Sequence, residues 1–265
     1  MERHKVDREV LRRLARARVV TTRELAELLK TSPAAAKKAA LHLRARGLLK
    51  EVKRGEYASV PLDVDPARFQ PDPYLAARKG LRDGYAFSHG SALELLGGAQ
   101  TFKRTIHVSA PDARARRKSF GSWILHVHRA SPERWKEGTT TVRRGGERLA
   151  VTTPERTLVD LVSLPNAELD YGESLEAFRY LLPRSNPAEF GAQIVSSRRV
   201  SAKTRAGHLL QKSLGQHSNS SEFMRVLDEL SREVASAGPS YFATRPRIPS
   251  NRFDPTFRVV YPGSV

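Results

Sequence analysis

The stretch Thr21 to Ser59, TTRELAELLKTSPAAAKKAALHLRARGLLKEVKRGEYAS, constrains the chain more than any other. Thr21 is placed to cap a first helix, and Glu24 three residues on completes a capping box. Leu25, Leu28 and Leu29 follow at helical spacing. Lys30-Thr31 turns the chain, Ser32 is a favoured N-cap, and Pro33 stands at the first helical position, where its missing N–H costs nothing. In the second helix Ala36, Ala40 and Leu43 share one face, which leaves Ala34, Ala35, Lys37, Lys38 and His42 outside. Gly47 ends that helix. Leu48 to Ser59 reads as a hairpin turning near Arg54-Gly55. Helix, turn, helix and basic hairpin in this order predict a winged helix-turn-helix over residues 1–60, with residues 7–17 as its supporting first helix.

Charge agrees with that assignment. The chain has 265 residues and a formal net charge of +18. Residues 1–60 hold 16 Lys+Arg against 7 Asp+Glu, so half of the excess lies in less than a quarter of the chain. Such a surface attracts polyanions, with nucleic acid foremost. There are no cysteines, which excludes disulfides and thiolate zinc sites and fits a reducing cytoplasm. The N-terminus has no apolar signal-like core, and no run approaches the length of a membrane span. The expectation is a cytoplasmic protein with no membrane partner.

Beyond residue 60 the punctuation defines three further stretches. Residues 61–73 carry a run of prolines and read as a linker; Asp63-Val64-Asp65 within it is a solvated turn more simply than a metal site. Residues 74–165 read as a small mixed α/β domain: a helix at 75–81, a short strand at 85–87, a helix from Ser88 to Leu96, strands at 105–110, 123–129 and 147–152, and a helix opened by Thr153-Pro154. Asp112 to Lys118, with Arg114, Arg116, Arg117 and Lys118, reads as an exposed basic loop and a possible second contact for nucleic acid or a partner. Residues 166–265 read as mostly helical, near 173–182, 187–197, 203–214 and 220–236, with a closing strand at Phe257 to Tyr261. The fold class expected is α+β.

The order of motifs resembles the AbiEi antitoxin family, transcriptional regulators of type IV toxin–antitoxin systems. The likeness rests on GLLKEVKRGEYAS in the hairpin, YAFSHGSALELLGG, RLAVTTPERTLVDLVSLP, and TRAGHLLQKSLG with the tail FATRPRIPSNRFDPTFRVVYPG. Phe257 stands where the family usually has Trp, and His208 where Tyr is more typical. The resemblance implies an N-terminal domain that binds inverted repeats in double-stranded DNA upstream of its own operon and represses it. It also implies a C-terminal region that counters a nucleotidyltransferase-like toxin, a stable complex not being required.

In a winged helix the second helix enters the major groove and the hairpin reaches the neighbouring backbone. The DNA-contacting residues expected are therefore Thr31, Ser32, Ala34, Ala35, Lys37, Lys38, His42 and Arg44, with Lys53 and Arg54 on phosphates at the wing. Three patterns bear on chemistry. His107, His126 and His128 on neighbouring strands could hold zinc, but no carboxylate stands ready as fourth ligand or base, and strand histidines are common. Gly90-Ser91 echoes a nucleotidyltransferase, without the two acids that would bind magnesium on a following strand. Ser221-Glu222 with Phe253-Asp254 offers half of a nuclease site. No catalytic residue, metal or cofactor is expected. The alternatives are a metal-dependent, nuclease-like enzyme targeted by a winged helix, and a ligand-sensing transcription factor without a toxin.

Overall fold

The computed structural model describes residues 14, 19–81, 84–98, 104–111, 116–130, 135, 138–163, 169–214, 220–242 and 251–263. The expected first helix at 7–17 lies outside them apart from Leu14, as do Arg114 and the tail stretch 243–250.

Strand β1 (Val19–Thr21) leads into helix α1 (Thr22–Leu29), α2 (Pro33–Ala45) and the hairpin β2 (Leu49–Lys53) and β3 (Glu56–Ser59). The caps form as their residue types demand. Thr21 Oγ1 accepts from the Glu24 N–H while Glu24 accepts from the Thr21 N–H, and Ser32 Oγ accepts from the Ala35 N–H. The end of α2 needs glycine on two counts. Gly47 has φ +71°, and a Cβ there would stand 2.7 Å from the Pro66 ring. The strands form a three-stranded sheet in the order β1-β3-β2, closed over Leu14, Val20, Leu25, Ala36, Ala40, Leu43, Leu49 and Tyr57.

The stretch after Val60 is anchored at several points. Phe69 packs against the neighbouring core, Lys50 Nζ donates to its carbonyl at 2.5 Å, and the Asp65 carboxylate accepts from the Ala67 N–H. Asp65 is thus a turn residue.

Helix α3 (Pro73–Gly80) comes next, followed by a six-stranded mixed sheet and helix α4 (His89–Leu95). The strands are β4 (Ala86–Phe87), β5 (Thr105–Ala110), β6 (Arg116–Phe120), β7 (Trp123–Arg129), β8 (Thr139–Arg144) and β9 (Glu147–Thr152), in the order β6-β7-β5-β4-β9-β8. Two of these correct the sequence reading. Arg116 to Lys118 are not loop: they pair antiparallel with Leu125 to Val127, as the basic edge strand of the sheet. Lysine and arginine on an edge discourage further pairing, so the composition that suggested a loop also suits an edge. Thr139–Arg144 is a strand unanticipated in the sequence, turned onto β9 at Gly145-Gly146.

Helix α5 (Pro154–Ser163) leaves the sheet and joins α6 (Tyr171–Leu181), α7 (Pro187–Val195), α8 (Val200–Ser213) and α9 (Ser220–Glu233) around a second core containing Leu158, Phe178, Phe190, Leu209 and Phe223. A small sheet, β10 (Ser240–Tyr241), β12 (Val259–Pro262) and β11 (Asn251–Asp254) in that order, closes the chain. The closing strand therefore starts two residues later than expected. Phe257 belongs to the turn before it, its fully buried ring pressed against Gly207 of α8, where no side chain would fit.

Candidate nucleic-acid interface

On α2 the structure sorts the predicted residues by exposure. Ala36, Ala40 and Leu43 are buried, while Ser32, Ala34, Lys37, Lys38, His42 and Arg44 are exposed and Thr31 and Ala35 are half-buried. Ala34, Lys38, Leu41 and Ala45 follow one another at helical spacing along the outer face. Leu41 was missed in the sequence, although it is 53% exposed in the middle of that face. The available signal was spacing alone: it falls between the buried positions Ala40 and Leu43.

The hairpin separates its two predicted cations. Arg54 is exposed at the tip, whereas Lys53 is turned back, 2.9 Å from the carboxylate of buried Glu56 and 4.9 Å from the Phe120 ring centre of the edge strand. Arg44 also has a partner, Glu51, at 2.6 Å. Among the described residues 19–60, Lys37 and Lys38 of α2, Arg54 at the tip, and Lys30 and Arg46 beyond the helix ends are exposed without an ion pair. In the second basic segment Arg117 is exposed on β6; the side chains of Arg116 and Lys118 lie outside the described residues.

The N-terminal unit is docked. Lys79 of α3 reaches Glu24 at 2.7 Å and Glu147 at 3.8 Å. Burial alone would push the Glu24 carboxyl up, but hydrogen bonds from Lys79 and Thr21, with the lysine's charge, hold it below the usual carboxylate range. Beside this junction a cleft of about 680 Å³ is lined by Val19, Phe69, Tyr74, Ile106, Trp123 and Arg144 among others. In its wall Tyr74 donates to Glu94 at 2.7 Å, and Arg144 donates to Asp72 at 2.6 Å. Burial and the Glu94 carboxylate push the Tyr74 hydroxyl far above its ordinary value.

The residues weighed for catalysis have other employment. Ser91 is buried and its Oγ accepts from the His107 N–H at 2.9 Å. Asp254 takes the N–H groups of Thr256 and Phe257 on one oxygen and His208 on the other at 2.6 Å, while Glu222 is exposed on α9. The strand histidines do come together, joined by His89 at the start of α4, which the sequence reading passed over. Ring centres lie 4.0 Å apart for His89 and His128 and 4.1 Å for His126 and His128. Burial, with the rings of His89, His126 and His107, pushes His128 down to about 2.

The helix start TTPERTLVDL is a structural hub. Thr152 and Thr157 share a hydrogen bond at 2.8 Å, Arg156 donates to Asp160 at 2.7 Å inside the protein, and Glu155 accepts from the Asn186 N–H that opens α7. This helix and α4 lie in the segment whose sequence matches a known family: residues 85–212 fit the AbiEi antitoxin C-terminal domain. The chain carries an AbiEi antitoxin domain. The match bears out the resemblance seen in the motifs. No curated protein matches the chain. Among solved structures, the crystal structure of the RV2827C protein from Mycobacterium tuberculosis is similar, with a TM-score of 0.65 and 21% identity over 96% of this chain and 90% of that one. At that identity the likeness bears on fold: the AbiEi domain and its N-terminal unit are arranged on a framework shared over nearly the whole length. No helix among the described residues is long and apolar enough to cross a membrane.

Proposed function

We propose that this protein is the antitoxin of a type IV toxin–antitoxin pair and a repressor of its own operon, acting in the cytoplasm. The AbiEi antitoxin domain supports the antitoxin role. The repressor role rests on one observation above all: α2 turns Ala36, Ala40 and Leu43 inward and presents Ala34, Lys37, Lys38, Leu41 and His42 outward, beside a hairpin with Arg54 exposed at its tip. In this reading residues 1–60 act as a winged helix-turn-helix. Lys37 and Lys38 take phosphates or base edges in the major groove of double-stranded DNA, and the methyls of Ala34 and Leu41 meet thymine methyls. Thr31, Ser32, Ala35, His42 and Arg44 border the contact. The AbiEi domain would counter a nucleotidyltransferase-like toxin, and the reading assigns the chain no catalytic step.

Titration of the full-length protein onto its own upstream DNA and onto a scrambled duplex, at two salt concentrations, tests the repressor half. Tighter binding to its own sequence is expected. Lys38→Ala and Arg54→Ala should each lower the slope of log K against log salt by about one, because each removes one phosphate neutralisation. Lys53→Ala should change the slope less, since Lys53 is tied to Glu56. Equal, weak binding to both duplexes would sink the repressor reading.

The cleft beside Tyr74 favours a second reading, a ligand sensor, because it lies where the N-terminal unit meets the sheet. A small molecule that shifts DNA affinity would be its signature.

A further inference from the structure

Four of the chain's 8 histidines meet at one place, contributed by the first turn of α4 and by neighbouring strands β5 and β7. The parallel register sets His107 beside His126 and Ser109 beside His128, so His107 and both β7 histidines share one face of the sheet. His89 reaches the same point because its backbone takes φ +53°, a left-handed conformation that costs a non-glycine residue on the order of 1–2 kcal/mol. The ligand atoms of His89, His107 and His128 all lie within 4.8 Å of one another, with His89 and His107 buried and His128 half-buried.

We infer that His89, His107 and His128 form a binding site for a divalent transition metal, with zinc as the reference ion. Three neutral imidazole nitrogens suit zinc and its neighbours in the first transition row and disfavour calcium and magnesium, which take oxygen ligands. Tetrahedral zinc with bonds of about 2.0–2.1 Å separates its ligand nitrogens by about 3.3–3.4 Å. His107 Nδ1 and His128 Nε2 stand at 2.8 Å, so a rotation of the half-buried His128 ring would open the pair to that spacing. Ser88 Oγ lies 2.9 Å from His89 Nδ1, the kind of second partner that orients a metal-binding imidazole. Three protein ligands leave a fourth position for water.

The rings are hydrogen-bonded, His107 Nδ1 with His128 Nε2 at 2.8 Å and His89 Nδ1 with Ser88 Oγ, and a metal ion would replace the first of these bonds. Aliphatic side chains would fill the same space without the desolvation that imidazoles carry. The site also ties the start of α4 to the sheet, so occupancy should stiffen the part of the AbiEi domain where the two cores meet.

Tag-free full-length protein, stripped with a chelator and dialysed against zinc chloride, should retain one zinc per chain and melt at a higher temperature than the stripped form. The cobalt-substituted protein should show the visible absorption of a four-coordinate site. His89→Gln and His128→Gln should each weaken zinc binding by at least about tenfold, by analogy with the loss seen when even an outer partner of a metal site is removed. His126→Gln, whose ring lies in the cluster but outside the ligand triad, should bind as wild type. The zinc-free melting temperature of each variant separates loss of the site from loss of the fold. Absence of retained zinc, or binding unchanged in both His89→Gln and His128→Gln, would overturn the inference.

Discussion

At the scale of single residues, the polar groups buried in the C-terminal half hold the architecture together, and His208 is the clearest case. Its ring is fully buried, with Asp254 at 2.6 Å from Nδ1 and the Tyr171 hydroxyl at 3.0 Å from Nε2. The partners define the proton positions: Nδ1–H donates to the carboxylate and Nε2 accepts from the phenol. Burial pushes the His208 pKa down more than Asp254 raises it, and Lys212 adds a smaller downward push. Burial, with Tyr261 and Asp254 nearby, pushes the Tyr171 hydroxyl up to about 12, so it stays a donor. The consequence for stability has a definite sign. A histidine whose folded pKa lies below its unfolded value takes up a proton on unfolding, so its contribution is complete above the unfolded value of about 6.5 and is lost as pH falls from there toward the folded value. Chemical denaturation at pH 7.5, 6.5 and 5.5 should show stability falling over that interval, and His208→Gln, though less stable at pH 7.5, should show a shallower fall. An equal slope in both proteins would mean that His208 is not the titrating group. Nothing local in the sequence announces this triad. Tyr171 and Asp254 stand 37 residues before and 46 after His208, and the pairing exists only once α6, α8 and β11 have packed.

At the scale of elements, what could be read from the sequence is what local chemistry decides. The Thr21–Glu24 box, the Ser32 cap, Pro33 and Gly47 bound α1 and α2 because each meets a requirement of its own few neighbours. The residues missed are those whose role depends on distant chain. Arg116 to Lys118 read as loop until β7 is beside them, Thr139–Arg144 goes unread until β9 is, and His89 is an ordinary helix-start residue until the parallel register of β5 and β7 brings three more imidazoles to it. Leu41 illustrates the converse: its local helical assignment was right, and only the packing of Ala40 and Leu43 shows which way it points. The caps can be tested one by one. Thr21→Ala removes the acceptor for the Glu24 N–H and loosens the carboxylate that also holds Lys79, so a loss of about 1–2 kcal/mol is expected in a denaturant titration. Thr21→Ser keeps the acceptor and should recover most of it. If serine did no better than alanine, the cap would not be what stabilises the start of α1.

At the scale of the whole molecule, the N-terminal unit and the sheet share a core. Val19, Val52 and Ala58 belong to the same apolar cluster as Tyr74 to Ala77 of α3 and Phe87, Ile106, Val108 and Leu125 of the sheet. The turn at Gly121 is so close to the hairpin that a Cβ there would stand 2.6 Å from the Val52 carbonyl oxygen. Helix α4 then couples the sheet to the helical core, sending Ala92 to one cluster and Leu93 to the other. Units joined in this way should unfold together. Were residues 1–60 to melt alone, they would give a separate transition with an enthalpy on the order of 40 kcal/mol, at about 0.7 kcal/mol per residue. Scanning calorimetry of the full chain should show no such event, and residues 1–60 cut from the rest should melt well below the intact protein, because Val19, Val52 and Ala58 would lose their cover. A separate early transition of that size would instead mean that the contacts at Lys79, Phe120 and Val52 are too weak to hold the unit. For a repressor the distinction matters, since a docked unit presents α2 and Arg54 in one fixed orientation relative to the AbiEi domain. The spacing of DNA half-sites bound by two copies would then be set by the whole chain and not by the N-terminal unit alone.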